Sequence, residues 1–304
     1  MVLVQLARSR CHRTLVLPFW ISIAVLSLAQ GVLVAVPGAI AGGLPARLRS
    51  RRWAVIPPLS VIAFVFGARA AEHASAQGLT YLALGAVPVL AVLALGWLLW
   101  DTQAPRWPRW LRALLVVPLF GLAWADRAGL AGEGAALALS GLSCVALGVL
   151  LATVTPPRWL AAGIVAMAIA DTALVVSDLL QRPNNALNAA HPAAGLPQLQ
   201  NAVFGSAVMG YGDLFIAGAL GGLLAATVTR ASQVRAAALT AALALGFDLL
   251  FFAVDELPAT VPVALALVLT ALSRRWRSAA GRRSRADRRR SAAEPPRPPA
   301  RAAR

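Results

Sequence analysis

Long apolar segments, separated by short polar breaks, occupy most of the chain. They cover residues 15–41, 53–70, 79–100, 110–125, 134–154, 159–180, 201–227, 235–254 and 257–273. Each is long enough, or nearly so, to cross a hydrocarbon core of about 30 Å as a helix. A helix is expected because backbone groups in lipid must bond within their own segment, and the alternation of a β-barrel is not visible. The pattern predicts an all-α polytopic membrane protein with nine transmembrane helices.

The composition supports this prediction. Hydrophobic residues make up 59% of the 304 residues, charged residues only 13%, and the mean hydropathy is +0.71. A soluble globular protein carries about 25% charged residues. A soluble enzyme, a disordered protein and a single-pass anchor are therefore excluded, and we expect one membrane domain over residues 1–273.

The net charge is +16, all of the positive charge comes from arginine, and twelve of the 28 arginines lie in residues 274–304. We interpret this segment as a disordered basic cytoplasmic tail attracted to anionic lipid headgroups, and we expect no nucleic acid partner. Arginines in the predicted loops favour a cytoplasmic C-terminus and, with nine helices, an N-terminus outside. The Ala- and Arg-rich, lysine-free composition is typical of a high-GC bacterium, which would make the membrane a bacterial plasma membrane.

Arg8, Arg10 and Arg13 oppose this orientation, because they precede the first apolar segment and would have to be translocated. They would also suit a signal peptide cleaved near residues 36–39. Cleavage there would leave the arginines of 47–52 outside, so we interpret the first segment as a membrane helix.

Cysteine and histidine give no indication of a metal, a cofactor or a disulfide framework. The two cysteines, Cys11 and Cys144, are far apart in the sequence, and His12, His73 and His191 lie in unrelated segments. Neither set has the spacing of metal ligands. We therefore expect no metal and no cofactor.

Acidic residues inside the apolar segments carry the candidate chemistry. Asp171, Asp213 and Asp248 lie within such segments, and Asp178 lies near the end of one. An ionisable side chain in lipid costs about 2.5–3.5 kcal/mol on insertion scales, so each needs a role in catalysis or in helix packing. Asp171 and Asp213 each lie about 12 residues into their segments, which predicts a depth of about 18 Å. In antiparallel neighbouring helices the two carboxyl groups could face one another.

Two further motifs accompany this pair of acids. Gly210 and Gly212 precede Asp213, and small residues allow a second backbone to approach closely. Pro258 and Pro262 open the ninth segment, where they remove backbone donors and leave groups that could meet another strand. Proline is also common at the start of an ordinary helix.

Together these elements resemble the GxGD intramembrane aspartyl proteases, the presenilin and signal peptide peptidase family. That family has nine transmembrane helices, a catalytic Asp in helix six, Gly-x-Gly-Asp in helix seven and Pro-Ala-Leu at helix nine. The resemblance covers residues 155–273, and the 42 residues from Asp171 to Asp213 are similar to the signal peptide peptidase branch. Two positions depart from the family pattern, since Ala170 replaces a tyrosine and Thr260 replaces the leucine.

The resemblance implies an intramembrane endopeptidase with a presenilin-like bundle, whose substrates are transmembrane helices or leftover signal peptides. Asp171 and Asp213 would be the catalytic pair, sharing one proton and activating a water molecule. The resemblance assigns substrate binding to Gly210, Tyr211, Gly212, Pro258, Ala259 and Thr260.

Two other functions remain open. The prepilin peptidases also use Gly-x-Gly-Asp, and Asp178-Leu179 with Pro183-Asn184 is similar to another of their motifs. Against this interpretation, Phe215 occupies the position of their usual lysine, and no further helix separates Asp178 from Asp213. Alternatively the chain is a scaffold or a proton-coupled transporter, in which Asp248 would be part of a proton relay.

Overall fold

The computed structural model describes residues 17–38, 50–56, 59, 72–98, 109–127, 129–177, 196–254 and 257–273. The chain divides into two units, Met1–Ala266 and Leu267–Arg304, and the residues discussed below belong to the first. The helices are α1 (Phe19–Ala35), α2 (Glu72–Leu93), α3 (Arg109–Ala113), α4 (Val116–Ala125), α5 (Leu130–Val154), α6 (Pro157–Val176), α7 (Tyr211–Thr227), α8 (Arg230–Asp248) and α9 (Thr260–Ser273). Short helical turns cover Arg51–Val55, Ala94–Leu98 and Leu249–Phe252.

The described part of the chain is mostly helical and is compatible with a membrane protein. Among the described residues, three helices are long and apolar enough to cross a bilayer, namely α5, α6 and the segment Arg230–Phe252. Shorter apolar helices lie at Phe19–Ala35, Thr80–Gly96, Trp110–Ala125, Tyr211–Thr227 and Thr260–Ser273. Most of the second predicted segment and the basic tail lie outside the described residues, so the nine-helix count stays a prediction.

The prediction of a helix over residues 201–227 is wrong for the first ten of these residues. They form an antiparallel hairpin of β1 (Asn201–Phe204) and β2 (Ala207–Gly210), in which Phe204 pairs with Ala207. Gly205 has φ = 59°, the left-handed conformation that a two-residue hairpin turn requires and that glycine adopts without strain. The chain is therefore not purely α-helical, and α7 begins only at Tyr211.

Helix α7 lies at the centre of the described fold, and every residue from Asp213 to Leu224 is buried. Glycines bring its backbone against α5. A Cβ added to Gly222 would lie 2.7 Å from the Gly148 carbonyl oxygen, and one on Gly218 would meet the backbone of Cys144. Small residues permit such close contact between membrane helices. Gly218 meets Cys144, and Gly222, four residues later, meets Gly148, which is four residues after Cys144. Helices α5 and α7 therefore run parallel.

Helix α1 packs between α7 and α8. A Cβ on Gly31 would lie 2.8 Å from the Ala241 side chain, so α1 and α8 approach closely. The C-terminal carbonyls of α1 are bonded by α8, since the Gln233 amide donates to Val34 O at 2.9 Å and to Pro37 O at 2.8 Å. Arg230 donates to Ala35 O and Pro37 O as well. These bonds satisfy groups that a helix end leaves without intrahelical partners.

The turn of the hairpin is held between the starts of α1 and α5. The Glu133 carboxylate accepts the Gly205 N–H at 2.7 Å, and the Ser22 hydroxyl accepts the Ser206 N–H at 3.2 Å. A carboxylate acceptor makes the first bond stronger than a neutral one. Because β2 leads directly into α7, these bonds also fix where α7 begins.

Candidate active site

Asp171 lies in α6 and has a partner from a distant part of the chain. The Thr260 hydroxyl donates to Asp171 Oδ2 at 2.7 Å, and the two residues are 89 positions apart. Asp171 is 5% exposed and Thr260 is fully buried. Helix α6 begins at Pro157, because the first turn of a helix does not need the N–H that proline lacks. Asp171 lies fourteen residues after this start.

Asp213 is in the first turn of α7. Its Oδ2 accepts the Gly210 N–H at 3.2 Å, an arrangement that caps the helix, and its side chain is only 3% exposed. We expected Asp213 about 12 residues into a helix. That prediction is wrong because the ten residues before Tyr211 form the hairpin.

The two acids are equally far in sequence from opposite ends of their helices. Asp213 is fourteen residues from the last residue of α7, and Asp171 is fourteen residues from the first residue of α6. At 1.5 Å per residue each separation is about 21 Å. The nine-helix prediction makes α6 and α7 antiparallel, in which case both lengths start from the same end of the helix pair.

Helices α6 and α7 meet beside these acids. The Cε of Met167 lies 3.6 Å from the position that a Cβ would take on Gly212. Met167 is one turn before Asp171 on the same face of α6, and Gly212 adjoins Asp213. Helices α6 and α7 therefore meet one turn from Asp171 and one residue from Asp213.

The Gly-Tyr-Gly-Asp motif is also anchored to α5. The Tyr211 hydroxyl and the Ser143 hydroxyl share a hydrogen bond of 2.7 Å, and the Cys144 thiol donates to Tyr211 O at 3.8 Å. Tyr211 is thus held at the junction of β2 and α7. This bond fixes the residue two positions before Asp213.

The segment before α9 is buried from Leu257 to Thr260. The Val261 N–H donates to Pro258 O at 3.1 Å, and the Gln30 amide of α1 donates to Ala259 O at 3.1 Å. Both carbonyls already have a protein partner, and each keeps a second lone pair. The substrate-binding role assigned to Pro258, Ala259 and Thr260 stays a prediction.

Asp248, the third buried acid, has a separate environment at the end of α8. It is 9% exposed and accepts a hydrogen bond of 2.7 Å from Ser27 of α1. It lines a small cavity of about 10 Å³, close to the least volume that holds one water molecule. Gln30, Ala259 and Pro262 line the same cavity, so Asp248 lies near the segment that contacts Asp171 but bonds to a different helix.

Sequence reasoning missed the contribution of α1 and α5. Ser27 and Gln30 are polar residues inside the first apolar segment, three positions apart and therefore on one helix face. That spacing was the available signal. Nothing in the sequence identified Ser143 or Met167 as neighbours of the Gly-Tyr-Gly-Asp motif, because both contacts depend on how distant helices pack.

Asp178 lies outside the described residues, so its role stays untested. Within the described ranges, no group of three His, Cys, Asp or Glu side chains is placed to hold a metal ion. No protein-family model, curated protein or solved structure matches this chain.

Proposed function

We propose that this chain is an intramembrane aspartyl endopeptidase of the GxGD type, which hydrolyses peptide bonds within transmembrane helices or leftover signal peptides. The observation that carries the proposal is the hydrogen bond from Thr260 to Asp171. It joins the element before α9 to the acid of α6, beside the contact of α6 with Gly212. These two contacts support the proposal, because they connect α6 to each of the other two motifs.

In the proposed reaction, Asp171 and Asp213 hold a water molecule between them and share one proton. The ionised carboxylate takes a proton from the water as the water oxygen attacks the scissile carbonyl carbon. The protonated carboxyl then gives its proton to the departing amide nitrogen, and the carbon–nitrogen bond breaks. Two nearby carboxyl groups suit this division because they do not readily ionise together.

The hairpin supports a route for the substrate. β2 ends at Gly210, three residues before Asp213, and within the described residues its sheet contains only β1 and β2. A substrate helix must unwind before hydrolysis, and an extended segment can pair with the edge of a strand. We propose that Gly210, Tyr211 and Gly212 contact the unwound substrate on one side, and that Pro258, Ala259 and Thr260 contact it on the other.

The same proposal includes the arrangement in the bilayer. Nine transmembrane helices in a presenilin-like bundle, with the N-terminus outside and the C-terminus cytoplasmic, would place the Arg-rich tail at anionic headgroups of a bacterial plasma membrane. Three long apolar helices are compatible with this arrangement. The partners are then the lipid bilayer and the substrate helix.

The test is cleavage of a reporter transmembrane helix by the purified full-length protein in liposomes, with products identified by mass spectrometry. We expect cleavage within the apolar part of the reporter, and inhibition by a hydroxyethylene peptide that mimics the tetrahedral intermediate. An intact reporter across several helix sequences and leftover signal peptides would contradict the proposal. The variant Asp178→Asn is tested beside the wild type. If this variant does not cleave the reporter, the prepilin-peptidase-like interpretation is favoured instead.

Asp248 favours a second candidate function, proton-coupled transport. It is a buried acid beside a cavity with room for about one water molecule, and a protonatable group in such a place suits a proton relay. Proton flux into liposomes distinguishes this candidate from the protease. Transport is supported if the wild-type protein carries protons, if Asp248→Asn abolishes this flux, and if neither protein cleaves the reporter. Transport is opposed if Asp248→Asn still cleaves the reporter.

A further inference from the structure

Gln30 is a polar side chain buried in the first apolar segment, only 1% exposed. Its amide nitrogen donates to the Ala259 carbonyl at 3.1 Å, across 229 positions of the chain. A buried amide without a partner loses its hydrogen bonds to water and gains none in the protein, so this bond stabilises the buried position of Gln30. Gln30 therefore links α1 to the backbone of the segment before α9.

The next residue after that carbonyl is Thr260, which donates to Asp171. The Ala259 carbonyl and the Thr260 N–H belong to one planar peptide unit, so a bond that fixes the carbonyl also restricts the start of Thr260. Gln30 and Asp171 thus bond adjacent residues of this segment. A shift at Ala259 would move the Thr260 hydroxyl away from Asp171.

A second bond keeps α1 in register. Ser27 lies one turn before Gln30 on the same face of α1, and it donates to Asp248 of α8 at 2.7 Å. α1 is thus bonded to α8 at Ser27 and to the segment before α9 at Gln30. These two points limit how far α1 can slide along its axis.

We propose that Gln30 is a positioning residue for Asp171, acting through the Ala259 carbonyl and the Thr260 hydroxyl. An effect of Gln30 on catalysis depends on the proposed protease function. Its effect on the position of Asp171 does not depend on that function. Catalytic groups must be held within about 0.5 Å of their productive geometry, so the loss of one supporting bond has a measurable consequence.

The first test measures how readily Asp171 reacts with a hydrophobic carbodiimide. The probe is dicyclohexylcarbodiimide, added to the full-length protein in liposomes, and mass spectrometry quantifies the labelled Asp171 peptide. Thr260→Val removes the hydroxyl directly and sets the reference, which we expect to be at least about threefold above wild type. Gln30→Leu keeps the size of the side chain without its donor, and we expect a similar increase.

Gln233→Leu is the matched control. Gln233 is another buried glutamine, 2% exposed, whose amide also bonds backbone carbonyls, but those of Val34 and Pro37, one turn or more beyond Gln30 at the C-terminal end of α1. We expect wild-type labelling of Asp171 in this variant. Labelling that is unchanged in Gln30→Leu, or that rises equally in Gln233→Leu, overturns the proposal. If Gln30→Leu does not fold, Gln30→Asn shortens the side chain by one methylene and enters the same comparison.

The second test is a double-mutant cycle on reporter cleavage. If Gln30 acts through Thr260, the double variant Gln30→Leu with Thr260→Val has nearly the kcat and the KM of Thr260→Val alone. Independent, multiplying losses contradict the proposed route. If no variant and no wild type cleaves, the proposed protease function fails, while the carbodiimide result still decides whether Gln30 positions Asp171.

Discussion

The Thr260 hydroxyl lies 2.7 Å from Asp171 Oδ2 and donates a hydrogen bond to it. The family that the sequence resembles has a leucine at the position of Thr260. This side chain is fully buried, so no solvent replaces the bond when it is lost. We expect Thr260→Val to lower kcat for reporter cleavage about tenfold, which corresponds to about 1.4 kcal/mol. Cleavage kinetics measure this effect.

Thr260→Ser is the control for this substitution. Serine keeps the donor and removes one methyl group, so we expect kcat within about threefold of wild type. Equal losses in the valine and serine variants would mean that packing, and not the hydrogen bond, determines the effect.

Tyr211 and Ser143 share a hydrogen bond that connects the Gly-Tyr-Gly-Asp motif to α5. Bonds between membrane helices contribute about 0.6 kcal/mol on average in double-mutant cycles. We expect Tyr211→Phe and Ser143→Ala to be coupled by about this amount in the free energy of unfolding, measured by denaturant titration in detergent. Additive effects of the two substitutions would contradict the coupling.

Gly148 is the position where a side chain is least tolerated between α5 and α7. A Cβ there would collide with the backbone of Gly218. Gly148→Ala forces the helices apart, and we expect a loss of about 1–3 kcal/mol of stability. Gly85 in α2 has nothing within 4 Å of an added Cβ, so Gly85→Ala should instead gain up to about 1 kcal/mol from helix propensity.

Thermal unfolding of the two glycine variants in the same detergent measures the difference. Equal stability of Gly148→Ala and Gly85→Ala would contradict the close contact of α5 with α7.

Gly205 has a backbone conformation that other residues adopt with strain. Its φ of 59° and the nearby Ser22 hydroxyl leave no place for a side chain. We expect Gly205→Ala to destabilise the hairpin and to raise the rate of proteolytic nicking near residues 201–210. Limited proteolysis with Gly85→Ala as the control measures this, and identical digestion of the two variants would contradict the hairpin.

The apolar pattern predicted roughly where most described helices lie, because burial and bilayer thickness both act on segments of this length. It missed some bounds, since α2 begins at Glu72 and the fourth segment is divided into α3 and α4. It failed at residues 201–210. Mean hydropathy does not distinguish a short apolar hairpin from a helix, although Gly205-Ser206 between two apolar runs is a recognised hairpin signal.

The candidate site was predicted only in part. The resemblance singled out Asp171, Asp213 and Thr260, and the structure brings Thr260 to Asp171. The bond itself depends on a threonine that departs from the family pattern, so the resemblance gave no reason to expect it. The roles of Gln30 and Met167 depend on long-range packing, which periodicity along one segment does not encode.

The most direct test of the central claim replaces each buried acid by its uncharged isostere. Asp171→Asn, Asp213→Asn and Asp248→Asn remove a carboxylate from three sites of similar burial, none more than 9% exposed. We predict that purified Asp171→Asn and Asp213→Asn fold but do not cleave the reporter helix, and that Asp248→Asn still cleaves it. Cleavage that survives in either of the first two variants would contradict the assignment of Asp171 and Asp213 as the catalytic pair.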